Sequence, residues 1–384
     1  MTTTHGNLTG LFFPMNPHLT GLMRSAAQLT RGGRLMEATA AIQRALRGEA
    51  EAPSSSGAAP APRRDADVVI DVEARELLPE RAVPPQPQAH TAEPAQAASA
   101  ERWTRGSFTH GGRTIGYRLF VPARAPGDAS TPRPLVVMLH GCTQDADDFA
   151  AGTRMNEHAR ECGAIVLYPE QTQRAHGQKC WNWFKTPHQQ RGRGEPALLA
   201  ALTEKIANDE QADRTRIYLA GLSAGGAMAD ILGQCYADVY AAVGVHSGLP
   251  RGAANDVMSA LSAMRSGPAG AEREAATSAR PPTIVFHGDA DATVHARNGM
   301  AIVDGAVPGA VSEGRSEAGR RFTRTLYAAS QTHGEAEHWR LHAAGHAWSG
   351  GSAGGSYTQP DGVDASREML RFFLAHRLGG TSGQ

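Results

Sequence analysis

Between about Arg102 and Gly380, short uninterrupted apolar runs alternate with stretches of helical spacing. The runs are "TIGYRLFVP", "RPLVVMLHG", "AIVLYPE", "RIYLAG", "AAVGVHSG", "PPTIVFHGD" and "HWRLHAAGH". Between them lie "ADDFAAGTRMNEHAREC", "GEPALLAALTEKIANDE" and "GGAMADILGQCYADVY", and "SREMLRFFLAHRL" follows the last run. A strand that is apolar on every side needs cover on both faces, which crossover helices between parallel strands supply. The pattern predicts an α/β fold: a mainly parallel central sheet with helices on both faces.

Two regions precede it. Residues 1–47 read as a short helical hairpin, with Leu19, Leu22, Met23, Ala26 and Leu29 at helical spacing, a break at Gly32-Gly33, and Leu35, Ala38, Ile42 and Leu46 resuming it. "GGRLMEATAAIQRAL" looks like one tetratricopeptide-type unit, and one unit cannot bury its own apolar face. The hairpin is therefore expected to dock on the main domain or on a partner. Residues 48–100, with "EAPSSSGAAPAPRR" and "PPQPQAHTAEPAQAASAE", are expected to be disordered linker, with "DVVIDV" as one short candidate strand. Residues 101–380 form the main domain.

Composition narrows the function. Lys plus Arg equals Asp plus Glu at 38 each, which argues against a nucleic-acid partner. No stretch is apolar enough to span a bilayer. Met1 to Met15 lacks a basic region followed by an apolar run and a small-residue cleavage site, so no conventional secretory signal is expected. On this ground alone the cytoplasm is favoured. The four cysteines Cys142, Cys162, Cys180 and Cys235 are too few and too scattered for a disulfide scaffold or a zinc ribbon, and no metal site is expected.

"GLSAGGAM" places Ser223 between Gly221 and Gly225, with a strand-like run before it and a helical stretch after it. A nucleophile elbow requires that context: the turn is so sharp that side chains at the flanking positions would meet backbone. A serine hydroxyl needs a base. In an α/β-hydrolase the acid and the histidine follow the serine, each past a strand end. Asp291, three residues beyond Gly288, is the expected acid, and Asp289 the expected turn-former. His346, in the glycine-flanked loop of "GHAWSGG", is the expected base, with His287, His295 and His342 as weaker rivals. Two backbone N–H groups should form an oxyanion hole, those of Ala224 and of Cys142 in "VVMLHGCTQ".

"HGCTQDADDFA", "YPEQ", "CWNWF", "GEPALLAAL", "GLSAGGAMA", "VGVHSGL", "FHGDADATVH" and "GHAWSGG" together closely resemble the poly(3-hydroxybutyrate) depolymerase-type esterase family of α/β-hydrolases. The resemblance runs from about Arg102 to Arg377. It implies a serine esterase with no metal or organic cofactor, using Ser223, Asp291 and His346 with the amides of Cys142 and Ala224. Related enzymes include feruloyl and acetylxylan esterases. It also implies export, at odds with the missing signal. Trp181 and Trp183 of "CWNWF" would line an acyl pocket or, alternatively, pack as core under a loop. His246, Ser247 and Trp348 are further candidates for the substrate side. A disulfide between Cys142 and Cys180 would suit an exported protein, and its presence is open at this level. The segment "AANDVMSALSAMRSGPAGAEREAATSAR" is an insertion before the acid-bearing strand, part helix and part flexible.

The expected function is hydrolysis of short-chain hydroxyacyl esters or of poly- or oligo(3-hydroxybutyrate)-like polyesters. The rivals are a feruloyl or acetylxylan-type esterase and a non-catalytic binding protein that uses the N-terminal hairpin as its interaction module.

Overall fold

The computed structural model describes residues 100–124, 131–268 and 280–379. All of them belong to one compact unit, Pro87–Gln384. The N-terminal hairpin, the linker with "DVVIDV" and part of the insertion lie outside the described residues.

The strands are β1 (Arg102–His110), β2 (Arg113–Val121), β3 (Leu135–Leu139), β4 (Ile165–Glu170), β5 (Ile217–Leu222), β6 (Ala242–His246), β7 (Thr283–Gly288), β8 (Val307–Arg315), β9 (Arg321–Ala328) and β10 (Ala336–Leu341). They form one sheet in the order β1-β2-β4-β3-β5-β6-β7-β10-β9-β8. The six central strands, β4 to β10 in that order, pair in parallel. The pairs β1–β2, β2–β4, β9–β10 and β8–β9 are antiparallel. A pair of two-residue strands, β11 (Trp348–Ser349) and β12 (Thr358–Gln359), stands apart.

Successive residues of a strand face opposite sides, and the core divides accordingly. Leu135, Val137, Leu139, Leu219, Val243 and Val285 pack on one face with α3 (Gly194–Asp209) and α4 (Ala224–Cys235). Val136, Met138, Tyr218, Ala220, Ile284 and Phe286 pack on the other with α1 (Ala146–Thr153), α2 (Met155–Cys162) and α7 (Ala365–Leu374). Every residue of β3, β5, β6 and β7 is buried, the two-sided cover that their continuous apolar runs required. The α/β reading thus holds.

The helical stretch after β3 is two helices. Arg154 adopts φ 57° and divides α1 from α2. Gly152, just before it, lies so close to a distant loop that a Cβ there would stand 3.0 Å from Thr358 and 3.4 Å from Gly355 Cα. The insertion contributes α5 (Val257–Ser266), opened by a reciprocal cap between Asp256 and Ser259. A short α6 (Arg297–Ile302) follows the loop after β7.

Candidate active site

Parallel strands carry their C-terminal ends to one edge of the sheet, and the candidate residues follow those ends. Ser223 follows β5 directly, with φ 57° and ψ −120°. A non-glycine residue at such angles is strained by about 1–3 kcal/mol and persists only where its surroundings hold it. Its N–H donates to the His246 carbonyl at 2.9 Å, and its own carbonyl accepts from Ala227 N–H at 2.9 Å. The flanking glycines have steric reasons. A Cβ on Gly221 would stand 2.4 Å from the Gly225 carbonyl group, and one on Gly225 would stand 2.0 Å from Leu139 O. Ser223 Oγ makes no hydrogen bond among the described residues. Ala224 begins α4, so its N–H has no intrahelical acceptor and adds to the positive helix terminus.

The loops after β7 and β10 are joined to each other. Asp289 N–H donates to Leu341 O at 3.0 Å and Ala290 N–H to Ala344 O at 3.1 Å. Gly288 permits the approach, since a Cβ there would stand 2.2 Å from Ala344 O. The junction brings Asp291 Oδ2 within 2.8 Å of His346 Nδ1. Asp291 Oδ1 accepts from the N–H groups of Thr293 (2.9 Å) and Val294 (2.8 Å). Burial works to raise the Asp291 pKa, but the hydrogen bond from His346, the charge of that ring and the Val294 N–H outweigh it. The carboxyl is held below its usual range and is ionised.

Asp289 makes a second pair from the same loops. Its Oδ2 lies 2.8 Å from His342 Nδ1, and its Oδ1 accepts from Ala343 N–H at 2.7 Å. His342 Nε2 is engaged with Thr323 Oγ1 at 2.9 Å. His287 is buried, with Nε2 at 2.8 Å from Val294 O. Of the rival histidines, neither His342 nor His287 therefore has a free Nε2.

The loop after β3 carries the other expected donor. Gly141 N–H donates to Gln144 Oε1 at 2.9 Å, and Thr143 N–H to Gln178 O at 2.6 Å. Cys142 N–H between them has no partner among the described residues. Cys142 and Cys180 form a disulfide with their Cα atoms 4.3 Å apart, and Cys162 and Cys235 are free.

The five residues expected on the substrate side prove to be buried. Trp181, His246 and Ser247 have no exposed surface, Trp348 has 1% and Trp183 has 6%. Ser223 and Asp291 are themselves buried, at 9% and 8% exposure. Trp181 donates its indole N–H to His140 O at 3.0 Å, and Trp348 donates to Ser366 Oγ at 3.1 Å. His246 stacks between Phe286 and Trp348 and accepts from Ser349 N–H at 3.0 Å. Burial pushes its pKa down to about 3, so the ring is neutral.

Beneath the "CWNWF" loop is a polar group that the sequence reading missed. Glu195, 4% exposed, accepts from Asn182 N–H (2.7 Å), Asn182 Nδ2 (2.6 Å) and Gln171 Nε2 (2.7 Å). The available signal was an asparagine between two tryptophans, followed by a carboxylate in the first turn of a helix. Among the described residues, no group of three or more His, Cys, Asp or Glu could hold a metal ion.

The sheet order, the strained serine after β5 and the acid and histidine loops after β7 and β10 define an α/β-hydrolase. The chain belongs to the Esterase PHB depolymerase family, whose model matches residues 115–306. It is 33% identical over 171 residues to the poly(3-hydroxybutyrate) depolymerase of Ralstonia pickettii, covering 43% of this chain and 35% of that protein. It is 26% identical over 200 residues to acetylxylan esterase A of Emericella nidulans, covering 48% of this chain and 64% of that one. The chain thus spans less than two thirds of either relative. The solved acetyl xylan esterase from Aspergillus awamori matches 71% of this chain and 99% of its own, with TM-score 0.54 and 17% identity, a likeness of fold.

Proposed function

We propose that the chain is a serine carboxylic-ester hydrolase. His346 takes the Ser223 proton as the oxygen attacks the ester carbonyl, and the Cys142 and Ala224 amides hold the oxyanion. His346 then protonates the leaving alcohol, and water resolves the acyl-enzyme by the same route. Asp291 orients His346 and stabilises its charged form. The chemistry asks for no cofactor. The observation that carries this reading is the strained elbow that holds Ser223 after β5, with φ 57° and with Gly221 and Gly225 closed to a Cβ by backbone; the buried Asp291–His346 contact supports it. The proposed substrates are short-chain hydroxyacyl esters and poly- or oligo(3-hydroxybutyrate)-like polyesters, in line with the depolymerase relative. Ser223→Ala should abolish hydrolysis of p-nitrophenyl butyrate by the full chain. Full activity in that variant would overturn the assignment of Ser223, whereas a wild-type chain that neither hydrolyses the ester nor is labelled by a fluorophosphonate would favour a non-catalytic binding protein on a hydrolase scaffold.

A second reading, an acetylxylan or feruloyl-type esterase, is supported by the longer alignment with the acetylxylan esterase, 200 residues against 171. Clearing of a poly(3-hydroxybutyrate) film, compared with release of acetate from acetylxylan and of ferulate from methyl ferulate, decides between them.

A further inference from the structure

The chain beyond His346 runs back to the loop that carries Cys142 and is fastened to it. Ser356 N–H donates to Asp148 Oδ1 at 2.8 Å, and Ser356 Oγ to Asp148 Oδ2 at 2.5 Å, which seats this segment on α1. Gln144 Nε2 donates to Ser356 O at 3.1 Å, while Gln144 Oε1 accepts the Gly141 N–H. Trp348, two residues past His346, donates its N–H to Tyr357 O at 2.7 Å. The backbone of Tyr357 is thus tied to the histidine side of the site, and its side chain reaches the Cys142 side. Tyr357 Oη lies 3.3 Å from Thr143 Oγ1. Thr143 donates its own proton to Cys142 O at 2.6 Å, so Tyr357 is the donor of that contact. The Cys142 loop in turn abuts the elbow, since a Cβ on Gly141 would stand 3.6 Å from Leu222 O.

The core does not account for this ring. Tyr357 is 47% exposed and belongs to neither core cluster. It holds φ 51°, and its partner Thr143 holds φ 67°. Left-handed backbone suits glycine or asparagine and strains a tyrosine. A large aromatic surface kept exposed on strained, well-tied backbone points to a ligand contact.

We propose that Tyr357 is a specificity-determining residue: its ring is a wall of the ester site, and the apolar chain of the ester packs on it while the Cys142 and Ala224 amides hold the carbonyl oxygen. This role rests on the esterase reading above. The hydroxyl is engaged as a donor to Thr143, so it orients the ring and has no proton left for the substrate. The contact is therefore apolar, and it grows with the length of the chain laid against the ring.

The test removes the ring and spares the backbone. Tyr357→Asn suits the left-handed conformation, whereas Tyr357→Phe keeps the ring and loses only the bond to Thr143. Two ester series are compared with the wild-type chain: p-nitrophenyl acetate, butyrate and hexanoate, and ethyl, butyl and hexyl acetate. In Tyr357→Asn, kcat/KM should fall about tenfold for the longest member of one series, through KM, and stay within about threefold for the shortest. The series that shows the loss identifies the acyl or the alcohol chain as the one on the ring. Tyr357→Phe should stay within about threefold of wild type throughout. A wild-type profile in Tyr357→Asn, a fall in kcat that is equal for every ester, or a Tyr357→Phe as impaired as Tyr357→Asn would overturn the role. If Tyr357→Asn does not fold, Tyr357→Gly, which lacks the ring and accepts the same backbone freely, takes the same test. Ser223→Ala separates the two levels. Activity in that variant defeats the esterase reading, whereas an inactive Ser223→Ala beside a wild-type chain-length profile in Tyr357→Asn defeats the role of Tyr357 alone.

Discussion

Two Asp–His pairs arise from the same two loops, and the proposed mechanism uses only Asp291–His346. Asp291–His346 and Asp289–His342 share the same contact, Nδ1 to Oδ2 at 2.8 Å. They differ in their surroundings. The Asp291 side chain has no exposed surface, whereas that of Asp289 is 37% exposed. Asp291 also accepts two backbone N–H groups, and its ring partner stands on the sheet edge with Ser223. His342 is committed at both nitrogens, to Asp289 and to Thr323, so it has no lone pair for a serine proton. A contact distance is therefore weak evidence of function. Desolvation and the state of the second nitrogen tell the pairs apart.

The largest test of that contrast is Asp291→Asn. It should lower kcat toward p-nitrophenyl butyrate by about 10⁴-fold, because the amide stabilises neither the required tautomer nor the imidazolium. A loss under tenfold would remove the distinction between the pairs.

Next comes acid stability, which should follow the buried rings. His246 and His140 have folded-state values pushed down to about 3 and about 4, below the usual 6.5. A depressed value means the stability is fully present above about pH 6.5 and is lost as pH falls toward the folded value. Each ring contributes a slope of about 1.4 kcal/mol per pH unit in that window. Asp291 acts in the same direction at lower pH, since its folded value is also depressed. Urea unfolding at pH 7.5 and pH 5.0 should differ by on the order of 4 kcal/mol from these two rings, and the buried His338, also pushed down to about 4, adds to the difference. Equal values would show that these rings are not held neutral.

The smallest effect belongs to the outer pair. Asp289→Asn should change kcat by less than about threefold and stability by at most about 1 kcal/mol, as for a partly exposed ion pair. A hundredfold loss of kcat there would transfer the catalytic role to the outer pair.

The central strands were legible because two-sided burial demands continuous apolar runs. Ser223 was legible because its elbow demands Gly221 and Gly225, and both glycines meet backbone as that geometry requires. Asp291 and His346 stood out as candidates because they follow strand ends in order, and the structure brings the two into contact. The edge strands were not readable in the same way. β1 was not anticipated, and its "RWTRGSFTH" is exposed along most of its length. The hairpin of β8 and β9 was missed too, since "VPGAVSEGR" is solvated and carries no apolar stripe. The break at Arg154 rests on a left-handed non-glycine residue, which no local pattern announces. The tryptophans of "CWNWF" were ambiguous because a pocket wall and a core have the same composition, and both prove to be buried. The contact of His140 with Gln171 joins residues 31 apart in sequence, and no local pattern announces it.

The central claim is that Ser223 is the nucleophile served by His346 and Asp291. Treating the full chain with a fluorophosphonate and mapping the adduct by peptide mass spectrometry tests it most directly. The account predicts one phosphonyl group, on Ser223, formed much more slowly in Asp291→Asn and at the wild-type rate in Asp289→Asn. An unlabelled Ser223, or an adduct on a different residue, would contradict it.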